Sequence, residues 1–345
     1  MIKRIVRRLR DMTTVFIGNV GNMETYYKIA RECAEKEMTL GSDNACGKHR
    51  KKILHYAQLV AGQPFVREKA SENAEIWASI RDGKLQEQFP NEVRYIQNQG
   101  ALMLYPYPFR EKYHVTADDV LKDEHEGLCY VLHKGKKLYF PEEDHAVVAE
   151  KYYQLIMEQD QDSPHRYFPG DIPACDVFVD VGSAEGIISL EAMEKAGEVY
   201  LLECSQKWIE ALTATFAPYQ EKTHIIRKYG GAYDDEDTIT LDSLLKEYIG
   251  KKIVIKMDIE GMELDALTGC KQLMKKNDCR FSCATYHTNT AYADLEAFFT
   301  QNCYRSAPTK NYMLFIYGNM TLANGKYQRM QYPYFRHGLI RAEKP

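Results

Sequence analysis

The stretch at residues 177–190, VFVDVGSAEGIISL, decides the fold of this chain. A run of apolar and β-branched residues ends in Asp180 and Gly182, and a segment with helical character begins after Gly186. A short buried strand, a glycine turn and a helix in this order are typical of the first strand of an open α/β sheet. In such sheets ligands bind beyond the carboxyl ends of the strands, so we expect a ligand at this turn.

Short apolar runs alternate with helical segments after this stretch. The runs are VFVDVG, VYLLE, THIIRKY, IVIKMD and RFSCATY. Such alternation is typical of a parallel sheet with helices on both faces. Only a few residues separate YRSA from YMLFIYG, too few for a crossover helix, so the last strand should run antiparallel to its neighbour. The sequence therefore predicts an α/β fold, with a Rossmann-like seven-stranded sheet of five parallel strands plus an antiparallel C-terminal hairpin, and a mainly helical N-terminal region.

The glycine turn distinguishes between two classes of cofactor. A dinucleotide site needs G-x-G-x-x-G, whereas the glycines here are Gly182 and Gly186, with Ala184 between them. The carboxylate of Asp180 at the strand end suits a cofactor that carries an ammonium group and a sulfonium cation. Glu203 ends the second strand, where an acidic side chain can accept hydrogen bonds from ribose hydroxyls. Together these features predict S-adenosylmethionine as the cofactor and disfavour a nicotinamide dinucleotide.

Residues 125–318 resemble the FkbM-type methyltransferases, a class I family of S-adenosylmethionine-dependent O-methyltransferases often associated with glycan and natural-product pathways. The matching stretches are FVDVGSAEG, LLEC, TLDSLL and, most distinctively, IKMDIEGMELDALTG. The resemblance implies O-methylation of a small-molecule or glycan acceptor, in particular a sugar hydroxyl of a bacterial surface polysaccharide. The cofactor-binding residues are expected to be Asp180, Gly182, Ser183, Ala184, Gly186, Glu203 and Cys204.

Methyl transfer to a hydroxyl needs the acceptor oxygen about 3 Å from the methyl carbon and a group that removes its proton. Asp258 and His287 both end predicted strands at the same rim of the sheet. Many family members carry a glutamate at the end of the fifth strand, where this chain has TYHT. We predict His287 as the base and Asp258 as the orienting group or acceptor contact. A histidine satisfied by backbone atoms is the structural alternative.

Weaker candidates surround this pair. Glu260 lies in the fourth-strand motif, and His165 and Arg166 lie in a connector that could fold over the cofactor mouth as a lid or substrate contact. An ordinary boundary loop is the alternative for the connector. Glu263 is expected to stabilise a helix dipole without a catalytic duty.

A divalent metal ion could be a second cofactor. Asp258 and His287 could hold one together with a third carboxylate such as Asp242, since oxygen and imidazole ligands suit Mg²⁺, Mn²⁺ or Zn²⁺. No ligand spacing in the sequence demands a metal.

The chain is expected to have four segments. A helical accessory region at residues 1–120 is followed by a β-hairpin, a helix and a connector at residues 121–170. The methyltransferase domain that binds S-adenosylmethionine follows at residues 171–320. An aromatic and basic tail at residues 321–345 could stack on sugars or pack against another subunit, and packing in a homo-oligomer is the preferred interpretation.

Composition narrows the class of partner. The 345 residues carry a net charge of -4, with no field that would gather nucleic acid. Nine cysteines without a CxxC pair favour reduced thiols in the cytoplasm. No run is long enough to span a membrane, and the basic, apolar segment at residues 1–10 would bind a membrane surface only weakly. The alternative functions are a non-catalytic binding protein on a methyltransferase fold and, less favoured, an NAD-dependent oxidoreductase.

Overall fold

A computed structural model describes residues 64–314 and 330–345. The described residues belong to two compact units, one of residues 64–106, 314 and 330–335, and the other of residues 107–313 and 336–345. No helix in these ranges is long and apolar enough to cross a membrane. The predictions made for residues 1–10, and for the helices before residue 64, lie outside the described residues.

The smaller unit contains helices α1 (Pro64–Arg81) and α2 (Pro90–Gln99). Val93 and Ile96 bury the inner face of α2, and Gly100 ends this helix in the left-handed conformation, with its N–H donating to the Ile96 carbonyl. The ring of Phe89 lies 4.6 Å from the ring of Phe335, centroid to centroid.

The larger unit contains most of the strands and helices. Its helices are α3 (His145–Glu158), α4 (Ile187–Ala192), α5 (Gln206–Phe216), α6 (Leu241–Leu244), α7 (Glu263–Thr268), α8 (Lys271–Lys276) and α9 (Ala291–Gln301). In chain order, the strands of the described residues are β1 (Leu121–Lys122), β2 (Cys129–His133), β3 (Lys136–Phe140), β4 (Cys175–Val181), β5 (Ala196–Leu202), β6 (Thr223–Ile226), β7 (Tyr229–Gly230), β8 (Thr238–Ile239), β9 (Lys252–Met257), β10 (Asp278–Ala284), β11 (Arg305–Pro308), β12 (Met313–Leu314), β13 (Phe335–Arg336) and β14 (Leu339–Glu343).

The main sheet has the order β11-β14-β10-β9-β4-β5-β6. Strands β6, β5, β4, β9 and β10 run parallel, and β14 is antiparallel to both β10 and β11. The predicted fold class is therefore confirmed. Strand order reverses beside β4, because β5 lies on one side of it and β9 on the other, and this is where open α/β sheets bind ligands.

The antiparallel strand is not the one that the sequence predicted. We expected it in YMLFIYG, but Met313 and Leu314 form the two-residue strand β12 outside the main sheet. The antiparallel strand is Leu339–Glu343, which inserts between β10 and β11. Two strands that are close in sequence need not pair with each other. Here β11 pairs with β14, a later segment, instead of with β12.

The central strands are buried on both faces, as expected of a parallel sheet covered by helices. Val177, Phe178, Val179 and Val181 of β4 are completely buried. The polar exception in this run is Asp180, which is 1% exposed. A carboxylate at such a position requires partners, and these lie at the carboxyl edge of the sheet.

Candidate active site

Gly182 brings the turn after β4 into contact with the end of β9. Its φ is +78°, and a Cβ atom built on it would lie 2.1 Å from the Asp258 carbonyl oxygen. The Asp258 N–H donates to the Val181 carbonyl at 3.0 Å. The two strand ends therefore touch through their backbones, and no larger residue fits at position 182 without moving one of them.

The rest of the turn is fixed by its own hydrogen bonds. The Ser183 hydroxyl donates to the Asp180 carbonyl at 2.9 Å, and the Gly186 N–H donates to the Ser183 carbonyl at 2.8 Å. Ala184 has a φ of +43°, a conformation uncommon for a residue with a Cβ. Gly186 packs against α5, because a Cβ there would lie 2.6 Å from Leu212 Cδ2.

Glu203, at the end of β5, joins this turn to the neighbouring strand. Its Oε2 accepts the Ala184 N–H at 3.0 Å, and its Oε1 accepts the N–H groups of Cys204 and Ser205 at 2.8 and 2.7 Å. A carboxylate can accept about four hydrogen bonds, so Glu203 keeps capacity for another donor. Burial, together with the charge of Glu203, raises the pKa of the Cys204 thiol to about 11, which keeps this thiol neutral.

Asp180 is paired with Lys256, a buried lysine of β9. Lys256 Nζ lies 2.8 Å from Asp180 Oδ1 and donates to the Gly182 carbonyl at 2.5 Å, and the Ser189 hydroxyl donates to Asp180 Oδ2 at 2.7 Å. Burial alone would lower the pKa of Lys256, but the carboxylates of Asp180 and Asp258 outweigh it, and the net shift is upward. Lys256 therefore carries its charge, and Asp180 faces this ammonium group rather than open solvent.

Asp258 is contacted by side chains from two segments of the chain, the connector before β4 and the residues after β10. The Tyr167 hydroxyl donates to its Oδ2 at 2.5 Å, and the Tyr286 hydroxyl lies 3.0 Å from both carboxylate oxygens. Nε2 of His165 lies 3.4 Å from Oδ2, and Nε2 of His287 lies 3.4 Å from Oδ1. Burial opposes ionisation, but these two histidines outweigh it and hold the pKa of Asp258 well below its usual range.

His287 lies between carboxylates on both edges of its ring. Its Nδ1 is 3.0 Å from Glu263 Oε1, and its Nε2 is 3.4 Å from Asp258 Oδ1 and 3.5 Å from Glu260 Oε2. Burial would lower the pKa of His287, but Glu263, Asp258 and Glu260 outweigh it and raise the pKa to about 9. The imidazole is therefore protonated at pH 7 in this structure.

The two connector candidates, His165 and Arg166, make different contacts. The ring of His165 enters the Asp258 cluster and lies 3.1 Å from the Tyr286 hydroxyl. Arg166 points elsewhere: its guanidinium donates to the carbonyls of Phe168 and Gly170 at 2.7 and 3.4 Å. Arg166 therefore holds the shape of the connector and does not join the cluster.

The third metal ligand suggested by the sequence is wrong. Asp242 accepts the N–H groups of Gln272 and Leu273 at the start of α8. Among the described residues, the set with ligand atoms within 4.8 Å of one another is Asp258, Glu263 and His287. Glu263 faces Nδ1 of His287 and Asp258 faces Nε2, so a single ion at this set would bind the ring through only one of the two nitrogens.

Sequence reasoning missed four residues of the site. Lys256 could have been found, because a lysine inside the buried run of β9 needs a buried partner. Tyr167 and Tyr286 carried no signal in their spacing. Glu185 lies in the glycine turn itself, and burial raises the pKa of its carboxyl to about 7, so this side chain titrates close to neutral pH.

Residues 181–306 match the family model described as the methyltransferase FkbM domain. The predicted resemblance to FkbM-type methyltransferases is thereby confirmed for this part of the chain. No curated protein was found to match the chain.

Solved structures of methyltransferases are similar to parts of this chain at low identity and with low TM-scores. Methyltransferase FkbM from Methylobacillus flagellatus is 15% identical, with a TM-score of 0.36 over 68% of this chain, and the chain covers only 58% of that protein. Precorrin-6y C5,15-methyltransferase from Geobacter metallireducens is 11% identical, with a TM-score of 0.33 over 50% of this chain and 82% of that chain. An rRNA methylase from Streptococcus thermophilus is 11% identical, with a TM-score of 0.31 over 50% of this chain and 89% of that chain. At these values the likeness says nothing about the substrate.

Proposed function

We propose that this chain is an S-adenosylmethionine-dependent O-methyltransferase whose acceptor is a hydroxyl of a sugar or a glycan-linked small molecule. The observation that carries the proposal is that one edge of the sheet holds both a fixed glycine turn beside Glu203 and a buried cluster of proton-carrying groups around Asp258. The first supports a nucleoside cofactor, and the second supports proton removal from an acceptor.

The residues of the turn fit S-adenosylmethionine. Glu203 is tied to the turn by three hydrogen bonds, and its remaining acceptor capacity suits the ribose hydroxyls. Gly182, Ser183, Ala184 and Gly186 would hold the cofactor along the backbone, with Cys204 at the rim. Asp180 would act through Lys256, since its carboxylate is buried against that ammonium group. When bound, the cofactor supplies an electrophilic methyl group.

His287 and Asp258 are the groups that we propose for proton removal. The Nε2 edge of His287 faces Asp258 and Glu260, so an acceptor hydroxyl that enters between them would meet a ring nitrogen and a carboxylate together. Because the pKa of His287 is about 9, its neutral form is a strong base but a minor species at pH 7. The rate of transfer should therefore rise with pH up to about 9.

The charge of the site supports an uncharged acceptor. Asp258, Glu260 and Glu263 place three carboxylates around His287, whereas Lys256 is committed to Asp180. An acceptor that carries phosphate or carboxylate near its reacting hydroxyl would be repelled. The side chain of Glu260 is 84% exposed and is the proposed contact for sugar hydroxyls, with His165 behind Asp258.

Free cysteines in the described ranges support a location in the reducing cytoplasm, which we propose for this chain.

The first test is titration calorimetry of the whole protein with S-adenosylmethionine and, in parallel, with NAD⁺, each with and without Mg²⁺. We expect the methyl donor to bind with a micromolar Kd, which is a binding free energy of about -8 kcal/mol, and we expect NAD⁺ not to bind. Glu203→Gln should weaken binding at least tenfold. Glu198→Gln is the matched control, because Glu198 lies in the same strand and contacts His224 instead of the turn.

Transfer is then measured with a panel of sugar hydroxyl acceptors and radiolabelled methyl donor. Methylation of an uncharged sugar supports the proposal. Tight binding of the donor without transfer to any hydroxyl acceptor would overturn the enzyme function in favour of a binding protein, and binding of NAD⁺ alone would overturn the cofactor as well.

A further inference from the structure

Two consecutive left-handed residues shape the DIEGMEL segment after β9. Glu260 has a φ of +56° and Gly261 a φ of +96°. This turn directs the N–H groups of Ile259 and Gly261 toward Glu263 Oε1, at 2.9 and 3.4 Å. Backbone donors therefore hold the carboxylate of Glu263 in place within its own segment.

The same turn lies against the segment that carries His287. A Cβ built on Gly261 would lie 3.3 Å from Thr288 Cγ2 and 3.7 Å from His287 Cβ. Glycine at this position therefore lets the two strand ends approach. As a result Glu263 reaches His287, and both side chains are buried, 2% and 6% exposed.

The contact fixes which ring nitrogen carries the first proton. Ionised glutamate only accepts hydrogen bonds, so the 3.0 Å contact with Oε1 requires His287 to donate from Nδ1. The other nitrogen, Nε2, then faces Asp258 and the exposed Glu260. This is the tautomer that a base needs if it is to receive a proton from an acceptor on that side.

We infer that Glu263 is a positioning residue: it holds the ring of His287 with Nδ1 as donor and Nε2 turned toward the acceptor. The inference rests on the proposed function for its catalytic meaning. It replaces the expectation that Glu263 serves only a helix dipole, because its carboxylate points at a buried ring and at backbone donors of the preceding turn.

The groups that face His287 come from two sides. Asp258 and Glu260 come from the turn after β9, and Glu263 comes from the first position of α7. On the side of β10, the ring of Tyr286 lies 4.2 Å from the imidazole, centroid to centroid, and Arg336 donates to the Tyr286 carbonyl. Of the three carboxylates, Glu263 makes the shortest contact and is also the most buried, so its removal should change His287 most.

The deciding experiment follows the ring nitrogens of His287 by ¹⁵N NMR in the full chain, with the signals assigned from His287→Gln. In the wild type we expect the Nδ1–H tautomer at high pH and a midpoint near pH 9. Glu263→Gln should lower the midpoint by at least one pH unit and mix the tautomers, whereas Glu260→Gln, which removes an exposed carboxylate near the same ring, should lower it less. An unchanged tautomer and midpoint in Glu263→Gln would overturn the inference.

Kinetics separate positioning from a purely structural role. With a methylated acceptor in hand, Glu263→Gln should lower kcat by about 10²-fold and move the rising limb of the rate profile to lower pH, with cofactor affinity within twofold of wild type. Glu263→Asp should recover part of the loss. Glu296→Gln, on the exposed face of α9, is the control. An equal loss of cofactor affinity and kcat would show that Glu263 only maintains the fold.

The NMR arm needs neither cofactor nor acceptor. If no hydroxyl is methylated by the wild type but the His287 signals still respond to Glu263→Gln, the proposed function fails while the positioning contact stands. If methylation proceeds and the signals do not respond, the positioning role fails alone.

Discussion

Lys256 Nζ lies 2.8 Å from Asp180 Oδ1, and this ion pair is almost completely withdrawn from solvent, since the two residues are 5% and 1% exposed. It joins neighbouring strands β9 and β4 at the edge where the glycine turn begins. The pair also receives the Ser189 hydroxyl and reaches the Gly182 carbonyl. One lysine thus links β9 to the glycine turn after β4.

Removal of one partner from this pair should be strongly destabilising. Lys256→Met leaves the Asp180 carboxylate buried without its cation, and we expect a loss of about 3–5 kcal/mol in the free energy of unfolding. Lys310→Met is the matched control, because Lys310 forms an exposed pair with Asp162 at 3.0 Å and should contribute less than about 1 kcal/mol. Urea unfolding measures both, and equal losses would contradict the assignment.

The stability of the larger unit should fall as pH rises from about 6.5 to 9. The pKa of His287 is about 9 in the folded chain and near 6.5 when unfolded, so folding takes up a proton in this window. The contribution is fully present below pH 6.5 and is lost as pH passes 9, at most about 3 kcal/mol. Urea midpoints at pH 6, 7.5 and 9 measure it. His287→Gln should flatten this profile, and a wild-type profile that rises over the same range would show the sign to be wrong.

The carboxyl group of Glu185 should lower the free energy of unfolding at neutral pH relative to a variant that carries glutamine at this position. Burial raises the pKa of this carboxyl to about 7, and an acid with a raised pKa stabilises the fold only while it is protonated. This contribution is lost between about pH 4.5 and 7. We expect Glu185→Gln to raise the free energy of unfolding at pH 8 by about 1–2 kcal/mol, a value reduced for partial exposure of the side chain. No gain at pH 8 would contradict this view.

The edge that carries the candidate site was predictable because strands that alternate with helices along the chain run parallel. Asp180, Glu203, Asp258 and His287 each follow an apolar run, and parallel strands bring their carboxyl ends to one edge. The alternation of apolar runs with helical segments was therefore enough to place these four residues at one edge of the sheet. It could not show that Asp180 would be shielded by Lys256, because the pairing depends on register across two strands.

The connector residues could not be placed for a related reason. Arg341 in β14 donates from Nε to the Tyr167 carbonyl at 2.9 Å and also bonds the Arg166 carbonyl at 2.6 Å. The path of the connector thus depends on a strand that lies more than 170 positions later in the chain. Since the antiparallel strand was assigned to the wrong segment, the contact of Tyr167 with Asp258 could not follow from the sequence.

The glycine turn gives a prediction in which strain and collision can be separated. Gly182 and Gly250 have nearly the same backbone conformation, with φ of +78° and +70°, so an alanine at either position should lose about 1–2 kcal/mol from left-handed strain alone. At Gly250 a Cβ meets nothing within 4 Å, whereas at Gly182 it would lie 2.1 Å from the Asp258 carbonyl. Gly182→Ala should therefore destabilise the chain by several kcal/mol more than Gly250→Ala in urea unfolding. It should also abolish binding of S-adenosylmethionine in calorimetry at temperatures where the variant stays folded. The ends of β4 and β9 must move apart to make room for the alanine side chain, and this movement would distort the turn. Equal losses of stability in the two variants would mean that the strand ends are not in contact, and the proposed site at this edge would then lack its geometry.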